Sequence, residues 1–112
     1  MKFLLMVHVD ESLTMGPEET AEHLAAVGAW VGGLESRGAR LTGGRLRPSG
    51  EGSTVQVRDD KLLVSDGPYA ETKEQMGGFD IIDCSGAAEA TEIAAGHPGA
   101  RYGTVEIRPL WE

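Results

Sequence analysis

The chain predicts an α+β sandwich, and three observations carry that prediction. It opens on an apolar strand, it closes on a strand of strict alternation, and each of two helical segments lies between strands. Lys2 to Val9 places Phe3, Leu5, Val7 and Val9 on one face and Leu4, Met6 and His8 on the other, so both faces of this strand carry apolar side chains. A helix begins at Pro17, with Glu18 and Glu19 in its first turn, where negative charge complements the helix dipole. Leu24, Val27, Val31 and Leu34 then recur at spacings of three and four as one apolar stripe, and Gly38 supplies a left-handed cap. Gly28, Gly32 and Gly33 weaken this helix, so close packing against another backbone is expected at one or more of them.

Ala39 to Leu46 reads as the second strand, with a bulge or bend expected at Gly43-Gly44. After the loop Pro48 to Gly52, Thr54 to Arg58 and Lys61 to Ser65 form a hairpin turning at Asp59-Asp60. Gly78 to Asp83 is the next strand. Ser85 is placed to cap a helix over Ala87 to Ala95, and Gly103 to Pro109 is the last strand, with Val105 and Ile107 inward. The order is β-α-β-(β-hairpin)-β-α-β. Two strand-helix-strand crossovers returning to one sheet give a ferredoxin-like sandwich with an extra hairpin. Helices cover one face of such a sheet; apolar Leu4 and Met6 on the other argue for a partner sheet, hence a homodimer.

The 112 residues suit one domain, and 40% hydrophobic with 25% charged residues describes an ordinary globular chain. Acidic residues outnumber basic ones 18 to 10, for a formal charge of -8, and no basic tract occurs, which argues against direct nucleic-acid binding. Met1 to Val9 is too short for a signal segment, and no run approaches the ~20 apolar residues of a membrane span. A lone Cys84 rules out an internal disulfide and suits a reducing compartment, so a cytoplasmic location is expected. The glycines form neither a dinucleotide fingerprint nor a Walker A loop, and no Ser sits in a nucleophile elbow. His8, His23 and His97 stand on three different elements without metal-ligand spacing, so no metal site is expected.

The densest chemistry lies in Ser65 to Phe79, where Asp66-Gly67-Pro68-Tyr69-Ala70-Glu71-Thr72-Lys73-Glu74-Gln75 crowds ionisable side chains around a Gly-Pro corner. This segment resembles the signature of the DGPF branch of YCII-related proteins, with Tyr69 at the aromatic position. The resemblance extends from Met1-Lys2-Phe3-Leu4-Leu5 through His23-Leu24 and Leu41 to Leu46 to Gly103 to Pro109. It implies a dimeric α/β barrel in which two ferredoxin-like sheets face each other around a cleft. Within the wider family a helical His and an Asp preceding a Pro are proposed as an acid/base dyad. His23 matches the first member, but His97-Pro98 stands at the second, which shifts the search for a carboxylate to Asp66.

Each candidate has a plain reading beside its chemical one. His23 lies two turns before Trp30 on one helix flank, where an imidazole is either structural or a proton carrier. Asp66 can simply brace the corner by accepting from the amides of Tyr69 or Ala70, or it can hold a carboxylate at the cleft. Tyr69, Glu71, Lys73 and Glu74 are either solvated or substrate-binding, with Lys73 the natural anchor for an anion. His8 reads as a core residue, and His97 as an imidazolium capping a helix end. The leading expectation is a homodimer binding a small polar or anionic organic molecule in its cleft, with cofactor-free acid/base chemistry by His23 and Asp66. The alternative is a non-enzymatic accessory or regulatory module acting with an alternative sigma factor, as resemblance to proteins encoded beside such factors implies.

Overall fold

The computed structural model describes residues 1–112. Six strands and two helices follow the expected order: β1 (Lys2–Val9), α1 (Pro17–Ser36), β2 (Arg40–Arg45), β3 (Ser53–Arg58), β4 (Lys61–Asp66), β5 (Gln75–Asp83), α2 (Ala87–Ala95) and β6 (Thr104–Pro109). One-turn 3₁₀ segments occupy Ser49–Glu51 and Pro98–Arg101. Four strands form an antiparallel sheet in the order β2-β5-β1-β6, which is the ferredoxin-like arrangement, and β3 pairs with β4 in a separate two-stranded sheet.

The alternation of β1 explains where the core lies. Phe3, Leu5 and Val7 are buried against the helical layer, whereas Leu4, Met6 and His8 on the opposite face are half-buried. Ile82 of β5 joins Leu5 at the centre, both with no exposed surface, and α2 seals them with Ala90, Ile93 and Ala94 at helical spacing. Each large aliphatic side chain so enclosed contributes about 1.5–3 kcal/mol. Helix α1 contributes far less. Only Leu34 of its stripe is buried, while Val27 and Val31 are half-buried and Leu24 is exposed.

The C-terminal end of α1 is firmly tied. Gly38 adopts φ +70 and the Ala39 amide donates to the Leu34 carbonyl at 2.8 Å. Towards its N-terminus the helix stands away from the sheet, and the stripe lines a cavity instead of closing on a core. The expected close approach at Gly28, Gly32 and Gly33 does not occur, because a methyl group at any of them would meet nothing within 4 Å. The bulge in β2 falls between Arg40 and Thr42 instead of at the glycine pair. Ser85 does not cap α2; Gly86 occupies that position, and the Ser85 amide donates to the Glu89 carboxylate at 3.0 Å.

The hairpin tip is made by Asp59 and Asp60, at φ 51 and 61, which is the primed-turn geometry that matches strand twist. Aspartate tolerates that conformation better than most side chains do.

Gly43 is constrained by space. A Cβ there would lie 2.5 Å from the Phe79 carbonyl, from Arg40 Nη2 and from Asp80 Oδ1. Gly43→Ala is therefore expected to lower stability by about 1–3 kcal/mol, the ordinary cost of overpacking, as read by chemical denaturation. Gly28→Ala, in the open helix, should raise it by up to ~1 kcal/mol.

Candidate functional site

A cavity of about 600 Å³ separates α1 from the helix-facing side of the sheet. Val7 and Gly78 lie on its sheet wall, Val27 and Val31 on its helix wall, and Leu13 and Met15 from the β1-α1 connection at its mouth. That connection is pinned at two points. Asp10 accepts from the Ser12 hydroxyl at 2.6 Å and amide at 3.0 Å, and Glu11 accepts from the amide and hydroxyl of Ser49. Those bonds hold both carboxyls below their ordinary range, with Lys73 adding a smaller pull on Asp10.

The period of β5 delivers an unusual group to the cavity. Ile82 points into the core, so Asp80, two residues earlier, points to the same side and is only 5% exposed. A carboxylate there requires a partner. Arg40 supplies one, with Nε donating to Asp80 Oδ1 at 2.8 Å and Nη1 lying 3.5 Å from Glu35 Oε1 on α1. Burial pushes the Asp80 carboxyl up, and Arg40, then His97, pull it back only in part.

His97 lines the cavity from the turn after α2. Its Nδ1 accepts from the Gly99 amide at 2.8 Å, so the neutral ring carries its proton on Nε2, and its edge packs against Trp30 with centroids 4.6 Å apart. Trp30 is itself fixed by donating from Nε1 to the Ile93 carbonyl at 3.0 Å. Burial holds His97 below its ordinary pKa; Asp80 pulls it up and His23 pushes it down. The expected role as a charged helix cap is thus replaced by a neutral ring accepting an amide bond.

His23 enters from α1 on the same helix flank as Trp30. It meets Tyr102 edge-on at 5.7 Å, and its Nδ1 is buried without any hydrogen-bond partner. His8 lies on the other side of the sheet, half-buried, with Nε2 3.1 Å from Glu106 Oε1.

Of the residues singled out in the sequence, the structure places His23 in the cavity wall, together with His97, Asp80, Arg40 and Tyr102. Asp66, Tyr69, Glu71, Lys73 and Glu74 lie outside that wall. Asp66 ends β4 opposite Ser53 and is exposed, and the amides of Tyr69 and Ala70 do not bond to it; Gly67 donates to the Gly52 carbonyl instead. Tyr69 is 83% exposed, and Glu71 and Lys73 are exposed. Glu74 accepts from the Thr104 hydroxyl at 2.9 Å. Gln75 braces the corner from within, donating to the carbonyls of Ala70 at 2.8 Å and Thr72 at 3.3 Å. Residues of this one chain line the cavity.

Sequence reasoning missed Asp80 and Arg40. The signal was present in Phe79-Asp80-Ile81-Ile82, where a carboxylate shares a strand face with a core isoleucine.

The neutral state of His97 gives a pH prediction. Its folded pKa is below 6.5, so the stability it contributes is complete above 6.5 and is lost as pH falls through the lowered value. Asp80 works in the opposite sense at lower pH: its contribution is present below 3.8 and lost as pH rises through its raised value. His97→Asn keeps an acceptor for the Gly99 amide and removes the titration. Denaturation curves from pH 7.5 to about pH 5 should fall less steeply for the variant than for the wild type. Parallel curves would mean that protonation of His97 is not coupled to folding.

An uncharacterized protein of Rhizobium meliloti (strain 1021) is 41% identical over 68 residues, 59% of this chain and 55% of that protein, so the matched part spans about half of the relative's length. The YCII-related domain matches residues 1–112, and with the whole chain so matched the protein belongs to the YCII-related family.

Proposed function

We propose that the protein binds a small organic molecule in the cavity between α1 and the sheet and moves a proton on it through His23. The observation that carries this reading is the His23 Nδ1 atom, buried in the cavity region without a partner. Leaving a desolvated polar atom unpaired costs about 1–3 kcal/mol, so such an atom in a folded chain calls for an explanation, and a ligand group that bonds to it supplies one.

The walls describe the ligand. Valine and leucine side chains favour an apolar body, while His23, His97, Asp80 and Arg40 converge where a polar group would be read. Asp10, Glu11, Glu19 and Asp80 face the cavity against only Arg40 and Arg45, and Arg40 is already engaged by two carboxylates. That balance favours an uncharged or cationic molecule over the anion expected from Lys73. His97 Nε2–H can donate to a ligand oxygen, and Asp80 stands where Asp66 was expected, as a carboxylate whose proton affinity is raised by burial. The chemistry supported best is transfer of a proton between positions of one bound molecule, without a cofactor.

The test is a thermal-shift screen of neutral, cationic and anionic small molecules on the wild type and on His23→Leu. The variant should be more stable than the wild type without ligand, by up to ~1 kcal/mol, because the orphan nitrogen is gone. Molecules that stabilise the wild type should fail to stabilise the variant. A molecule at 100 times its Kd adds about 2.7 kcal/mol, which sets the scale of the shift. Equal stabilisation of both proteins, or a less stable His23→Leu, would overturn the reading.

A further inference from the structure

Three polar atoms in the cavity wall are left without partners by the chain itself. Asp80 gives Oδ1 to Arg40 Nε at 2.8 Å, while its Oδ2 is unbonded on a side chain only 7% exposed. His97 accepts the Gly99 amide on Nδ1, which leaves Nε2–H as a free donor on a buried residue. His23 Nδ1 is buried and unpaired, and it must be free to accept if the ring is to take a proton from a bound molecule. All three side chains line one cavity, and the charges of Asp80 and His23 both bear on the His97 ring, which sets them near each other. The unused set is two acceptors and one donor.

The same wall has no charge to spare. Asp80 and Arg40 neutralise each other. Glu35, on the outer side of the guanidinium at 3.5 Å, is more than half exposed and screened by water. Asp10 and Glu11 already accept from Ser12 and Ser49. An anion buried beside these groups would face Asp80 and a cation would face Arg40, each without a counter-ion of its own, and an unpaired buried charge is far costlier than a buried dipole. The polar head that fits is neutral.

A primary carboxamide is a simple neutral group with two N–H donors beside one carbonyl acceptor. We infer that Asp80 and His97 select a neutral carboxamide head, with Asp80 Oδ2 accepting one N–H and His97 Nε2–H donating to the carbonyl oxygen. The second N–H is left for His23 Nδ1. A volume of about 600 Å³ walled by Val7, Val27 and Val31 leaves room for an apolar body behind the head. The inference rests on the ligand reading above and adds to it the class of head group, with Asp80 and His97 as the residues that determine specificity.

The test keeps one phenyl body and changes the head: phenylacetamide, N,N-dimethylphenylacetamide, methyl phenylacetate, phenylacetate and phenethylamine are titrated into the isotope-labelled wild type and followed by amide NMR. Phenylacetamide should bind with shifts centred on Gly78 and Gly99. Every other head should bind about tenfold more weakly or worse, because each leaves at least one buried polar atom unmatched. His97→Asn keeps an acceptor for the Gly99 amide and loses the Nε2 donor; in it the preference for phenylacetamide over phenethylamine should shrink by about tenfold, while the preference over the dimethylamide persists. Failure of phenylacetamide to bind the wild type, or any other head bound as tightly, overturns the inference whether or not the variant folds. His23→Leu separates it from the proton-carrier reading. Full affinity for phenylacetamide in that variant would overturn the role of His23 and leave selection by Asp80 and His97 standing, whereas equal affinity of the wild type for all the heads would overturn the selection and leave His23 untouched.

Discussion

The buried ion pair of Arg40 and Asp80 is the constraint around which the interior is arranged. A carboxylate on the core face of the strand that pairs with both β1 and β2 is costly to desolvate, and a single guanidinium at 2.8 Å makes it tolerable. Several local features serve that contact. Gly43 is bare because a methyl group would collide with both partners, the bulge between Arg40 and Thr42 sets the register of β2 against β5, and Glu35 holds the outer side of the guanidinium. Buried pairs are often no better for stability than apolar packing of the same volume, so the pair reads more naturally as equipment of the cavity than as a fastening.

That choice has consequences for packing. The Leu5-Ile82 core is completed mainly by the small α2 helix, with Leu34 and Trp30 the share that α1 contributes. With only Leu34 buried, α1 is held mainly at its C-terminal end, and its remaining stripe stays available to the cavity. His97 and Trp30 link the two regions, since Trp30 reaches from α1 to the Ile93 carbonyl and to the imidazole ring. The neutral His97 and the high-affinity Asp80 arise from the same cause, removal from water, acting on a base and an acid in opposite directions.

The order of elements was legible because it is written in local patterns. Alternation marked β1 and β6, the stripe and Gly38 marked α1, and α2 was bounded at Ala87 and Ala95 as observed. Of the ionisable groups in the cavity wall, the sequence singled out His23 as a proton carrier and His97 only as a helix cap. The signature corner drew attention through its density of polar groups, yet its uncharged Gln75 and Thr72 hold the loop's own backbone and its Asp66, Glu71 and Lys73 are exposed. Asp80 was overlooked because a lone carboxylate in an apolar strand carries no motif, and Arg40 because its partner lies forty residues away in sequence.

By itself, therefore, the sequence determined the order of the helices and strands, the ferredoxin-like class and the alternation of β1 and β6, since these follow from periodicity and from short-range turn and cap chemistry. The tertiary structure decided which ionisable groups meet. Whether α1 closes on the sheet or leaves a cavity depends on side-chain volumes summed over two elements. Whether Asp80 finds Arg40 or Asp66 finds a partner depends on strand register across the sheet. The protonation of His97 depends on burial that no window of sequence contains. Those are long-range properties of packing, and they place the candidate chemistry at residues that local pattern alone does not distinguish.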